Sequence, residues 1–244
     1  MWVAKHTRAT VSGKTVDYIE ADIDTIAVEV LSTPAPNKQY KELVSSNKLG
    51  INGTFFDDAS LTIAGIAWGS GAAAVGPNGA TNASYTRGTI VCFRPNGGTA
   101  KVASRFVINK AADLGIPTSW VDWAIGGLSL FIGDSTIQTQ SDYDQRTQAE
   151  HASSIGGAYP EAADYRSAIG YKSGGKIVLA VIQNAKPWDV RSVMTALGCT
   201  DGVMLDGSTA SQMRYLDAGG TARTVSFGSR ATCSAVTVNG ATWQ

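Results

Sequence analysis

Apolar residues come in short runs separated by polar steps along most of this chain. "TVDYIEADI" (15–23) and "TIAVEVL" (25–31) are rich in β-branched and aromatic residues and read as two strands. "APNKQYKELVSSNKLG" (35–50) sets Tyr40, Leu43, Val44 and Leu49 at helical spacing, with Gly50 as its stop. "INGTFF" (51–56) resumes an extended pattern, and "GTIVCFRPNGGTAKVASRFVI" (88–108) predicts a hairpin turning at "PNGG". A short helix follows in "NKAADLGIP", then a strand in "WAIGGLSLFIGD" (123–134) with a glycine pair where it begins. Residues 134–164 are polar with few aliphatics and read as a long loop. Beyond it, "RSAIGYKSGGKIVLAVI" (166–182) predicts a second hairpin. "PWDVRSVMTALG" (187–198) is an amphipathic helix with Val190, Val193, Met194 and Leu197 on one face. "GVMLDG", "QMRYLD", "ARTVSF" and "TCSAVTVNG" close the chain as short strands.

Strands outnumber helices and the helices are interspersed. This predicts an α/β (α+β) domain spanning 1–244, with a large mixed, strand-rich sheet flanked by a few helices. The 244 residues are 43% hydrophobic and 16% charged, ample for a core. A net charge of zero gives no electrostatic footprint for a nucleic-acid polymer or an anionic membrane. The longest aliphatic run, "IVLAVI" at 177–182, is too short for a membrane span. "MWVAKHTRAT" at the start lacks the apolar core of a signal peptide, so a cytoplasmic location is expected. Cys92, Cys199 and Cys233 form neither a disulfide framework nor a zinc motif; buried free thiols are expected, with one disulfide left open.

The residue inventory narrows the chemistry. Only His6 and His151 are present, which disfavours multi-histidine zinc sites, and no G-x-S-x-G elbow occurs. "GYKSGGKI" begins like a phosphate-binding loop, but Ile177 stands where a magnesium-holding hydroxyl is required, and its glycines lie between two strands. Asn52, in "INGTFF", is either a turn residue or a polar group set at a strand end. Arg166 is either a surface cation or a guanidinium fork matched to phosphate or carboxylate oxygens. Asp206 ends the apolar run "VML" and is followed by small residues. "VMLDGST" is similar to the nucleophile strand of haloacid-dehalogenase-like phosphatases, but Ser208 occupies the place of their second aspartate.

In order along the chain, "INGTFF" (51–56), "IGGLSLFIG" (125–133), "RSAIG" (166–170), "TALGCTDGVMLDG" (195–207) and "STASQM" (208–213) resemble the motif series of the phosphodiester glycosidase family. The chain departs from that series after Gly207, where Ser208 and Thr209 replace glycines; bacterial or phage-encoded relatives are the nearer comparison. The resemblance implies a hydrolase that cleaves a sugar from a phosphodiester at the anomeric carbon. The expelled phosphate monoester is a good leaving group, so less proton donation is needed than in a two-carboxylate glycosidase. On this basis Arg166 would hold the phosphate, Asp206 would act as base or direct stabiliser, and Asn52 would orient a sugar hydroxyl or the phosphate. Glu150 and His151 are candidates for a second acid/base group. Gly53, Gly126, Gly127, Gly207, Ser208, Thr209 and Ser211 are expected to line the substrate, the glycines offering backbone amides. No cofactor is required, although Asp57, Asp58, Asp201 and Asp206 would suit calcium or magnesium if they converge. The expected partner is a small-molecule or glycan phosphodiester. The alternatives are a phosphodiesterase cutting a P–O bond of a nucleotide signal, and a glycosyl-phosphate-binding module without turnover.

Overall fold

The computed structural model describes residues 2–30, 47–56, 63–69, 86–150, 162–228, 230 and 232–244. Most of the predicted helix at 35–50, together with His151, Asp57 and Asp58, lies outside the described residues. In chain order the strands are β1 (Val3–Val11), β2 (Lys14–Asp22), β3 (Ile26–Val30), β4 (Gly50–Asn52), β5 (Ala67–Trp68), β6 (Arg87–Phe93), β7 (Lys101–Ile108) and β8 (Val121–Ser129). Then come β9 (Asp164–Lys172), β10 (Lys176–Ala185), β11 (Asp201–Met204), β12 (Gln212–Leu216), β13 (Ala222–Ser226), β14 (Ser234–Val238) and β15 (Thr242–Trp243). The α-helices are α1 (Gln140–Thr147) and α2 (Pro187–Ala196). The strand-rich α+β class is as expected.

The strands divide between two sheets. The larger runs β15-β1-β2-β10-β9-β11-β8-β6-β7, with β5 on β8; the smaller runs β13-β12-β4-β14-β3. Every described pairing is antiparallel except β1 with β15. Both predicted hairpins form, β6–β7 around Pro95–Gly97 and β9–β10 around the "KSGG" turn. That turn places Gly174 and Gly175 at φ +79° and +74°, which confirms the hairpin over the phosphate-loop reading.

Alternation along the strands gives the larger sheet two apolar faces. Ile19, Ile125, Ile169, Leu179, Val181 and Val203 pack toward the second sheet, where Ile51, Met213 and Val236 meet them. Val178, Ala180, Ala168 and Met204 point to the opposite face and are covered by Val190, Val193 and Met194 of α2. Each of the larger buried aliphatic side chains contributes roughly 1.5–3 kcal/mol.

The predicted loop at 134–164 contains α1. Its sequence "QSDYDQRT" carries almost no aliphatic stripe; burial rests on Tyr143 and Thr147, and a capping box between Thr139 and Asp142 starts it. A polar strand, β1, also occupies the stretch "VAKHTRATV".

One irregularity positions the site. The same edge of β8 pairs with β11 at residues 128–129 and with β5 at 124–125. Between these pairings β11 leaves the sheet, and the chain crosses at Leu205–Asp206 toward the smaller sheet.

Candidate active site

Asp206 stands at this crossing and is held there by its own main chain. Its amide donates to the Gly53 carbonyl at 3.1 Å, and one residue earlier the Leu205 amide donates to the Ser167 carbonyl at 2.8 Å. The Asp206 carbonyl accepts from Asn52 Nδ2 at 2.8 Å. The register of β11 on β9, in which Met204 faces Ala168, continues to bring Asp206 level with Arg166. The three residues singled out from distant parts of the sequence thus meet.

Asn52 is completely buried and acts as a cross-brace. Its Oδ1 accepts from Ser167 Oγ at 2.7 Å and from the Gln212 amide at 3.1 Å, while Nδ2 serves Asp206 and, at 3.5 Å, Gly53. The orientation of the amide is dictated by its partners: a backbone N–H can only donate and a carbonyl can only accept. One side chain thereby ties β4, β9, β12 and the Asp206 turn together. With its amide engaged this way, Asn52 holds the Asp206 main chain in place.

Arg166 is 8% exposed, donating through Nε to the Ala185 carbonyl (3.2 Å) and through Nη2 to the Ala162 carbonyl (3.0 Å). Its guanidinium passes beside Gly207: a Cβ added there would lie 3.5 Å from Nη1 and 2.8 Å from the Tyr165 carbonyl. Glycine is needed at 207 for this close approach. The Asp206 carboxylate accepts from the Gly207 amide through Oδ1 at 2.9 Å. Its Oδ2 faces Arg230 Nη1 at 3.8 Å. Sequence reasoning misses Arg230. It follows "FGS" between two strands, and nothing local in the sequence sets it apart from a surface cation; only the fold carries it over Asp206. Tyr165 and Phe227 stack at 3.5 Å between ring centroids beside this cluster.

The remaining candidates separate. Ser208 is half-buried at φ +54°, Thr209 is exposed, and Ser211 is buried with no hydrogen-bond partner for its Oγ among the described residues. Gly53 has both main-chain groups engaged, its amide on the Ser234 carbonyl at 2.7 Å. Gly126 and Gly127 lie inside β8 instead of in a turn. The Gly126 amide donates to the Ile66 carbonyl at 2.7 Å, and a Cβ on Gly127 would sit 2.3 Å from the Met204 carbonyl. They let neighbouring backbones approach, in place of the substrate-facing amides expected of them.

Glu150 is also placed differently from an acid facing Asp206. It is completely buried and bridges the ends of β7 and β8: Oε1 accepts from Ser129 Oγ (2.8 Å) and the Val107 amide (3.2 Å), and Oε2 from the Ser129 amide (2.8 Å). Burial pushes its carboxyl above the ordinary value. Ser129 is level with Val203, three residues before Asp206, or roughly 10 Å of strand rise away. Asp201 opens β11 at the end opposite Asp206, with Oδ1 accepting from the Gly202 and Ile132 amides at 2.8 and 3.1 Å. Asp201 and Asp206 therefore do not converge on one cation, and among the described residues no group of three acidic, histidine or cysteine side chains does. Cys92, Cys199 and Cys233 are buried, and none of them is in a disulfide. No helix among the described residues is long and apolar enough to cross a membrane.

The site is thus an anchored carboxylate at the end of a buried strand, with Arg230 facing it and the Arg166 guanidinium beside the next residue, Gly207. The phosphodiester glycosidase family profile matches residues 45–238, and the chain belongs to that family. A comparison of the sequence with curated proteins gives no match. Solved structures agree on the fold. The zebrafish N-acetylglucosamine-1-phosphodiester alpha-N-acetylglucosaminidase catalytic domain, auto-inhibited by its pro-peptide, is 14% identical with a TM-score of 0.66, over 98% of this chain and 83% of that one. A hypothetical protein from Synechocystis is 13% identical (TM-score 0.59, 96% of this chain and 61% of that one). A Burkholderia pseudomallei protein is 14% identical (TM-score 0.58, 94% and 76%).

Proposed function

We propose that this phosphodiester glycosidase-type hydrolase cleaves the bond between a sugar anomeric carbon and the phosphate of a sugar-1-phosphodiester or nucleotide-like glycosyl phosphate. The observation that carries the reading is Asp206, whose main chain is fixed by Asn52 and Gly53 and whose register on β9 sets it level with Arg166. Arg166 holds phosphate oxygens with its guanidinium fork and stabilises the charge that grows on the leaving phosphate. Asp206 faces the oxocarbenium-like sugar, either activating water or stabilising the cation directly. Because the leaving phosphate needs little protonation, the distance of Glu150 from Asp206 is no obstacle to this route.

Hydrolysis in ¹⁸O-labelled water tests it. Label in the released sugar supports cleavage at the anomeric carbon, whereas label in the phosphate would make the protein a P–O-cleaving phosphodiesterase. Asp206→Asn should abolish turnover and retain binding. Failure of the wild-type protein to turn over any of a broad panel of glycosyl phosphates would favour a binding module.

A further inference from the structure

The two guanidinium groups near Asp206 differ in exposure. Arg166 is nearly buried and fastened to two backbone carbonyls. Arg230 has its own carbonyl anchored by Gln212 Nε2, but its side chain is 30% exposed. Its guanidinium lies over the Phe56 ring, with Cζ 4.7 Å from the centroid, and Nη1 is 3.8 Å from Asp206 Oδ2. That separation is an ion pair longer than a hydrogen bond. A phosphate offers the same guanidinium short, bidentate contacts.

We propose that Arg230 is the mobile half of a two-arginine phosphate clamp and covers Asp206 until a phosphate arrives. A phosphate seated beside Gly207 against Arg166 draws the Arg230 guanidinium from the Asp206 carboxylate onto its own oxygens. The carboxylate is then released toward the sugar only when the ligand carries a phosphate. A neutral glycoside leaves Arg230 on Asp206, so Arg230 sets the selectivity for charged substrates. The identity of the natural ligand rests on the function proposed above; the clamp itself is a statement about anion binding and is tested separately.

The test titrates inorganic phosphate into the full chain by calorimetry, with thermal melts to confirm folding of each variant. Arg230→Gln should weaken phosphate binding roughly tenfold or more, with Arg230→Lys in between. Asp206→Asn, which removes the carboxylate charge that competes for Arg230, should tighten binding, and that gain should shrink when Arg230→Gln is added. Wild-type affinity in Arg230→Gln overturns the clamp, as does no phosphate binding by the wild-type protein, or an equal Asp206→Asn gain in both backgrounds. If phosphate binding follows the expected pattern but no sugar phosphodiester is hydrolysed, the clamp stands and the glycosidase reading falls. If Arg230→Gln hydrolyses sugar phosphodiesters fully and with unchanged KM, the glycosidase reading stands and the clamp falls.

Discussion

Replacing Asn52 with aspartate changes one atom of the cross-brace and leaves the shape intact. Oδ1 still accepts from Ser167 and Gln212, but the second oxygen now faces the Asp206 carbonyl at 2.8 Å, where Nδ2 had donated. An ionised carboxylate cannot make that contact, and the site is completely buried. The introduced carboxyl therefore folds protonated, with its hydroxyl replacing the lost donor. Keeping a carboxyl of ordinary pKa about 3.9 protonated at pH 7 costs about 4 kcal/mol, at about 1.4 kcal/mol per pH unit. The folded pKa is raised, so the penalty is absent below about pH 4 and grows as pH rises toward that raised value. Urea unfolding of the wild-type protein and Asn52→Asp at pH 7, 6 and 5 measures the gap between them. It should be about 4 kcal/mol at pH 7 and narrow by about 1.4 kcal/mol per pH unit on acidification. A gap below about 1 kcal/mol at pH 7, or one independent of pH, would refute the cross-brace.

Asp201→Asn keeps the Oδ1 acceptor for Gly202 and Ile132 but removes a carboxyl whose value burial raises above 3.8. The wild-type protein loses stability through this group as pH climbs from 3.8 toward the raised value, so urea midpoints of the variant should fall less over that window and activity should persist; parallel midpoints would count against it. Gly207→Ala puts a methyl 2.8 Å from the Tyr165 carbonyl and 3.4 Å from Arg166 Cδ. It should cost about 1–3 kcal/mol in urea unfolding, along with activity. Arg166→Ala should lower kcat/KM by roughly 2–4 kcal/mol in transition-state free energy, and unchanged kinetics would remove its role.

The features legible in the sequence are those with a strong local period or a definite turn. The hairpins at 88–108 and 166–182 and the helix α2 each carry both an apolar pattern and glycine or proline punctuation. α1 escapes because its burial depends on one tyrosine and a capping box, not on an aliphatic stripe. β1 escapes because its residues are half-exposed on both faces, which erases the alternation a strand shows when one face is buried. For the site, Asn52 and Asp206 border apolar residues and Arg166 precedes an apolar strand, and the family resemblance joins the three. Their division of labour is not legible. That Asn52 is a brace depends on partners 115, 154 and 160 residues away. The glycine pair in β8 reads as an offer of amides to a substrate because the need for backbone approach arises from β11 and Ile66, which are remote in sequence. Glu150 likewise takes its partners from Val107 and Ser129, 43 and 21 residues away.

Asp206 is located through main-chain atoms, its N–H on Gly53 and its carbonyl under Asn52, and the short turn that follows contributes side chains to neither bond. Its location is therefore written in β4 and not in the turn beside it. Substitutions at Ser208 and Thr209 should leave the Asp206 main chain where it is, much as a tool head can be exchanged on a fixed arm.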